Sequence, residues 1–387
     1  MKRMLKPTII AISMATVMAG AAISPALGLI AANFPDADPV LIKLILTAPS
    51  LFIIPFTFIS SYLTSKIAKR TIVLIGLSIY VIAGVGAQFT NTIEMLLAFR
   101  FVLGAGVGLV MPLGITLISD HFRGREQVKM MGYNSAFSNF GGILTMMLAG
   151  YLAAISWRAP FNVYLMGVVI IILVYFFLPK DQPMKRDRQA TKLKLPLAVF
   201  GYALASAGVM LVYYSVATNM ALYLEQSNIG GAGLAGTVIS FTTVGGMVTS
   251  LTLIQLQDTL KSYIMPLSLL VMGIAFVGLS FSHSVPIILA CTCMVGFGQG
   301  ILFPIINVKA LNLVNPLYSD RVIATVSSAI YVGQFSSPLV LDGIARLAGL
   351  PAIRFQYFII GGALGVTVLL MLVYRFVTKE KTVEAQM

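Results

Sequence analysis

Gly104-Ala105-Gly106-Val107-Gly108-Leu109-Val110-Met111-Pro112 and Gly296-Phe297-Gly298-Gln299-Gly300-Ile301-Leu302-Phe303-Pro304 are two copies of one pattern, G-x-G-x-G-x-x-x-P, set 192 residues apart in a chain of 387. At the chain's overall glycine and proline content, a chance match at those four positions in a given window has a probability of roughly 3 × 10⁻⁵, so the pattern reads as an internal repeat. A weaker echo, Ser135-Ala136-Phe137 against Ser328-Ala329-Ile330, lies 193 residues apart. The spacing is half the chain. It divides the sequence into two similar halves, residues 1–178 and 196–387, joined by 179–195.

Composition says what kind of halves these are. The chain is 58% hydrophobic and only 10% charged, whereas a water-facing domain is about one quarter charged. That excludes a soluble enzyme. Twelve spans of about 20 residues need roughly 240 apolar positions, which matches the apolar share. Runs between breakers place them at 8–33, 40–62, 71–89, 94–118, 130–154, 161–178, 196–222, 232–256, 263–282, 285–308, 322–345 and 355–377. The first run follows Met1-Lys2-Arg3, which resembles the start of a signal peptide; its length and the eleven spans after it make it an uncleaved first helix. The expected fold is all-α, a polytopic membrane protein of twelve transmembrane helices in two six-helix pseudo-symmetric halves.

Basic residues set the orientation, because short loops rich in Lys and Arg stay on the cytoplasmic side. Lys2, Arg3 and Lys6 precede span 1; Lys66, Lys69 and Arg70 join spans 2 and 3; Arg123, Arg125 and Lys129 join spans 4 and 5. The alternate loops lack them. Both termini are therefore expected in the cytoplasm, as is the linker 179–195. On this topology the cytoplasmic segments hold the whole net charge of +13. The remaining bases, Lys43, Arg100, Arg158, Arg346 and Arg354, balance the remaining acids, Asp36, Asp38, Glu94, Glu225 and Asp342. The charge thus records membrane insertion and points to no nucleic acid.

The loop Ser61-Tyr62-Leu63-Thr64-Ser65-Lys66-Ile67-Ala68-Lys69-Arg70 resembles the G-x-L-a-D-r-x-G-r-k signature of the major facilitator superfamily, with Leu63, Lys66, Lys69 and Arg70 in place. Leu96, Arg100, Gly104 and Gly106 resemble its second signature. Gly132, Gly141 and Gly150 resemble that of the twelve-helix drug:proton antiporter branch, with Thr145-Met146 where Gly-Pro is usual and Ala149 for one glycine of the final pair. Trp157-Arg158 and Phe161 also look familial. The resemblance covers nearly the whole chain and implies alternating access at a site between the halves. It implies a gate at Ser65, Lys66 and Arg70, where neutral Ser65 replaces an acid that latches the cytoplasmic side, and hinges at Gly104, Gly108, Pro112, Gly141, Gly296, Gly300, Pro304 and Pro338.

Arg100 is the sharpest single residue. It lies about 10 Å into its span, where a lone guanidinium costs a few kcal/mol or more, so it must face protein or water. The resemblance implies a proton relay or an anion contact; hydrogen bonding to helix carbonyls purely for structure is the other reading. Span 11 carries a polar stripe at helical spacing, Ser327, Tyr331, Gln334, Pro338 and Asp342. Span 10 adds Thr292, Gln299, Phe303 and Asn307; span 5 adds Asn134, Ser138 and Thr145; span 7 adds Tyr202, Ser206, Tyr213 and Asn219; span 1 ends in Ser24 and Asn33. These neutral groups and aromatic neighbours suit an organic solute, or they bond helix to helix with no ligand. No acid lies midway through a span. Asp342 is the best candidate for proton coupling, with an interfacial pair to Arg346 as the plainer reading. His121 and His283 are too far apart for a metal site, and Cys291 and Cys293 read as small apolar packing.

The expected function is therefore secondary active transport of a small organic or amphipathic solute, as proton-coupled drug or metabolite efflux across the bacterial plasma membrane. The protein would act as a monomer, with protons as the coupling ion and with no cofactor or metal. The alternative is a facilitator or carrier of an anionic or neutral metabolite with Arg100 as the anion contact. No nucleophile–base pair lies at membrane depth, so an enzyme is not expected.

Overall fold

The computed structural model describes residues 2–180, 195–314, 319–350 and 352–384. They form thirteen α-helices and no strand. The helices are α1 (Lys2–Ala21), α2 (Leu27–Asn33), α3 (Pro39–Leu63), α4 (Lys69–Gly86), α5 (Ile93–His121), α6 (Gly124–Ala153), α7 (Met166–Phe177), α8 (Leu197–Gln226), α9 (Ala232–Leu260), α10 (Ile264–Phe281), α11 (Val285–Leu311), α12 (Ser319–Leu347) and α13 (Ile353–Glu384). Eleven helical stretches among the described residues are long and apolar enough to cross a membrane. The remaining long helix, α12, carries the stripe of polar residues read from span 11, which lowers its hydropathy without shortening it.

Three boundaries differ from the sequence reading for physical reasons. Span 1 is broken into α1 and α2 by a 3₁₀ turn at Ser24–Ala26. Pro25 has no N–H for the Ala21 carbonyl, and the Ile23 N–H falls back to Gly20 O at 3.4 Å. Span 6 begins as a 3₁₀ helix over Ala159–Leu165, with Pro160 in its first turn. Helices α1, α6 and α13 run past their apolar cores into charged residues: hydropathy reports membrane depth, while Lys, Arg and Glu prolong backbone hydrogen bonding beyond it. Most of the linker, residues 181–194, lies outside the described residues.

The chain forms two compact units, Met1–Ser240 with Ala310–Leu339 and Phe241–Lys309 with Val340–Met387. In the first, the glycines of the repeat set the helix packing. Gly104 meets the backbone of Pro49 on α3, and a Cβ at Gly108 would stand 2.7 Å from the Ile53 carbonyl oxygen and 2.8 Å from Phe56 Cβ. Gly106, on the other side of α5, faces α4, 2.7 Å from Gly76 O by the same measure. The second unit repeats the arrangement. Gly296 and Gly300 of α11 face Thr242 and Gly246 of α9, and Gly298 faces Met272 and Ser268 of α10. In both places the middle helix carries glycine wherever a neighbouring backbone comes close, as membrane helices require when lipid gives them no hydrophobic drive to associate. Around α5, side chains of α1, α4 and α7, among them Ile12, Leu77, Leu113 and Val174, close an apolar core.

Candidate functional site

Arg100 of α5 is 1% exposed, and two interrupted helices supply its partners. Pro49 offers no N–H to the Ile45 carbonyl four residues earlier, and that oxygen accepts from Arg100 Nε at 2.7 Å. The end of α1 at Ala21 releases the carbonyl of Ala19, which accepts from Nη2 at 3.1 Å. Nη1 donates to the Tyr164 hydroxyl at 2.6 Å, and that hydroxyl donates to Ala19 O at 2.8 Å. Every nitrogen of the guanidinium is thus engaged by protein. Tyr80 closes the group, its ring edge-on to Tyr164 at 5.3 Å. The sequence reading missed Tyr164; the signal was its place three residues after Phe161 in the run Trp157-Arg158-x-x-Phe161.

Next to this cage stands a second polar cluster of the same unit. Tyr214 on α8 is nearly buried; its hydroxyl stands 3.0 Å from where a Cβ on Gly20 would lie, and it shares a side-chain hydrogen bond with Gln334 of α12. One turn back on α12, the Tyr331 hydroxyl donates to Met111 Sδ on α5 at 2.7 Å. Ser337 donates to Leu211 O at 2.7 Å, and Ser24 to Ala217 O at 2.5 Å. Tyr331 and Gln334 from the span 11 stripe therefore meet Arg100's surroundings through Tyr214 and Met111. Tyr213, its neighbour in the sequence, is half-buried, and Asn219 is buried one helical turn and a half further on.

Other expected residues fall elsewhere. On α6, Asn134 and Ser138 are half-buried, and Asn134 Oδ1 has no hydrogen-bond partner among the described residues. The same holds for Ser206 on α8 and for Thr47 and Ser50 on α3, two hydroxyls the sequence reading did not single out. Gly141 packs against Met14 of α1. Pro112, Pro304 and Pro338 sit inside continuous helices. Gln299, Phe303 and Asn307 belong to the second unit, where Asn307 Nδ2 is turned to its own helix, donating to Phe303 O at 3.0 Å. Asp342 is 5% exposed and accepts from Gln356 Nε2 of α13 at 2.7 Å. It lies inside α12 and not at a solvated end, because the helix continues to Leu347.

At the basic end of the first unit, Ser65 donates to Tyr62 O at 2.7 Å and Lys66 lies over the Tyr62 ring at 4.6 Å, both within one turn. Arg70 reaches the Tyr175 carbonyl of α7. The contact between helices that sequence reasoning missed is Lys69–Asp120, an ion pair from the start of α4 to the end of α5 with Lys69 buried. Replacing Lys69 by Met and Asp120 by Asn, singly and together, should give a coupling energy of about 1–2 kcal/mol in a double-mutant cycle of thermal stability. At the opposite end Arg158 donates to Gln88 O at 2.9 Å and Thr90 O at 3.2 Å, tying the end of α4 to the start of the 3₁₀ helix.

Comparison with known proteins places this geometry in a family. The pattern of the Major Facilitator Superfamily matches residues 9–263 and 256–386. An uncharacterized MFS-type transporter YcnB of Bacillus subtilis is 24% identical over 217 residues, 56% of this chain and 42% of that protein. The quinolone resistance protein NorA of Staphylococcus aureus is 32% identical over 118 residues, 28% of this chain and 30% of that protein. The matched stretches span less than half of either relative. Among solved structures, the nucleoside transporter NupG superposes with a TM-score of 0.75 at 12% identity over 95% of this chain and 98% of that one. A bacterial homologue of the lysosomal transporter Spinster gives 0.72 at 14% identity, covering 96% and 95%; at such identities the likeness is one of fold. With the family pattern matching nearly the whole length, the chain belongs to the Major Facilitator Superfamily.

Proposed function

We propose that the protein is a secondary active transporter that exports amphipathic organic solutes in exchange for protons, at the bacterial plasma membrane with both termini in the cytoplasm. The six-helix halves 1–178 and 196–387 would rock about a site bordered by Tyr214, Tyr331, Gln334 and Met111. The observation that carries this reading is the engagement of all three Arg100 nitrogens by Ile45, Ala19 and Tyr164. An arginine held in this way braces three helices and offers no open fork to an anion, which favours a neutral or cationic amphiphile over an anionic metabolite. The neighbouring lining is aromatic, thioether and amide, a surface that stacks, adapts and orients without a fixed charge. Thr47, Ser50, Ser206 and Asn134 add hydrogen-bonding groups with no protein partner, as a wet cavity would need. Asp342, the buried carboxylate, is the proton acceptor in this account.

Uptake of a cationic dye into inverted vesicles tests the site. Gln334→Leu and Tyr331→Phe should raise the half-saturating dye concentration by about five- to tenfold each, the worth of one lost hydrogen bond, with the amount of folded protein unchanged. Dye transport unaffected by both substitutions would remove the site from the reading.

A further inference from the structure

We propose that a groove at the basic end of the first unit holds one anionic membrane lipid, with its phosphate on Arg321 and an acyl chain along Ile54, Phe58, Leu195 and Phe200. The groove has a volume of about 740 Å³ and is completed by Ala324, Thr325 and Ser328. Its walls come from the last turns of α3 and the first turns of α8 and α12. Ile54 lies about 14 Å from the end of α3, so the trough runs from the membrane interface toward the bilayer interior. It opens sideways. Phe58 is 57% exposed and Phe200 51%, and on the same helix as Phe200, Leu197 and Leu204 are 85% and 74% exposed. In a membrane-spanning chain such a face borders hydrocarbon, so what fills the trough comes from the bilayer.

Charge selects which lipid. The half-buried Arg321, third residue of α12, is the one charged side chain among those lining the groove, and a guanidinium binds a phosphate diester through two parallel hydrogen bonds. The Thr325 hydroxyl is already donated to the Arg321 carbonyl at 2.8 Å, leaving the guanidinium and Ser328 to face the headgroup. A choline headgroup would bring a second cation beside Arg321; a glycerol headgroup would not. The bases that follow α3, Lys66, Lys69 and Arg70, raise the local concentration of anionic lipid at this end. This inference needs the membrane fold and the groove and does not depend on the solute or the coupling ion.

Protein taken from vesicles of equal phosphatidylglycerol and phosphatidylcholine into a neutral detergent should retain one phosphatidylglycerol per chain in intact-mass spectra. Arg321→Gln should lower that retention about fivefold. Ala324→Phe, which keeps the charge and fills the trough, should lower it as well. Arg125→Gln, an exposed base of α6 away from the groove, should leave it unchanged. Retention untouched by both groove variants, or lowered as much by Arg125→Gln, would overturn the proposal. So would soluble glycerol phosphate raising the melting temperature as far as the lipid does, since a headgroup alone would then suffice. Should Arg321→Gln not fold, Arg321→Lys, which keeps the charge and loses the fork, is expected to shift retention in the same direction, and unchanged retention in it would count against the site.

Discussion

Arg100→Ala should cost the protein roughly 3–5 kcal/mol of stability, enough to leave little folded material in detergent. The loss has a specific composition. Ile45 O, Ala19 O and the Tyr164 hydroxyl would each remain buried without the charged donor they now meet, and hydrogen bonds to a charged group are worth about 1.5–3 kcal/mol each before relaxation. Neither carbonyl can return to its own helix, since Pro49 has no N–H and the residues after Ala21 turn into a 3₁₀ segment. Arg100→Lys should fall between: an ammonium can reach one or two acceptors but not all three in a fork. Tyr164→Phe, removing one link, should cost about 1–2 kcal/mol. Thermal unfolding in one detergent checks the order. An Arg100→Ala protein as stable as the native one, failing only in transport, would make Arg100 a transport residue and not the brace described here.

Gly108→Val and Gly300→Val should both abolish folding, and for the same reason at two distant places. Valine at 108 would need space that Ile53 O and Phe56 Cβ occupy, and at 300 space that Gly246 O occupies, with added Cβ atoms 2.7 Å and 2.9 Å from those oxygens. Backbone cannot yield as a side-chain tip can, so the helices must separate, at a cost above the 1–3 kcal/mol usual for overpacking. Gly362 on α13 has open space around it; Gly362→Ala should be neutral or stabilise by up to about 1 kcal/mol. Membrane yield and melting temperature of the three variants give the comparison. Tolerance of valine at 108 would mean that α3 and α5 do not meet there as described.

The repeat made most of this architecture legible. A glycine is readable in a sequence, and in a chain this apolar it has few uses other than close helix approach, so the pattern at 104–112 announced the same packing again at 296–304. Arg100 was legible as a residue needing partners, but which ones was not. Its acceptors lie 55 and 81 residues away, and a backbone carbonyl has no sequence signature of its own. Pro49 was the available clue, since a proline inside a span frees the carbonyl four residues before it. The stripe of span 11 was readable as one face of a helix, yet Gln334 belongs to the first unit and Asp342 to the second. Periodicity places residues on a face and says nothing of what stands opposite. Lys69 and Asp120 were each counted by sign alone; their meeting depends on α4 and α5 crossing at the glycine contact of Gly76 and Gly106.

Proton movement accompanying solute is the most direct test of the central claim. In vesicles holding the purified protein and a pH-sensitive dye, with no imposed gradient, adding an amphipathic cation should drive protons in the direction opposite to the solute. The rate should saturate with solute, and Asp342→Asn should reduce proton movement at least tenfold while solute still binds. Solute flux with no accompanying proton flux, equal in the native protein and in Asp342→Asn, would contradict proton exchange and leave a facilitator.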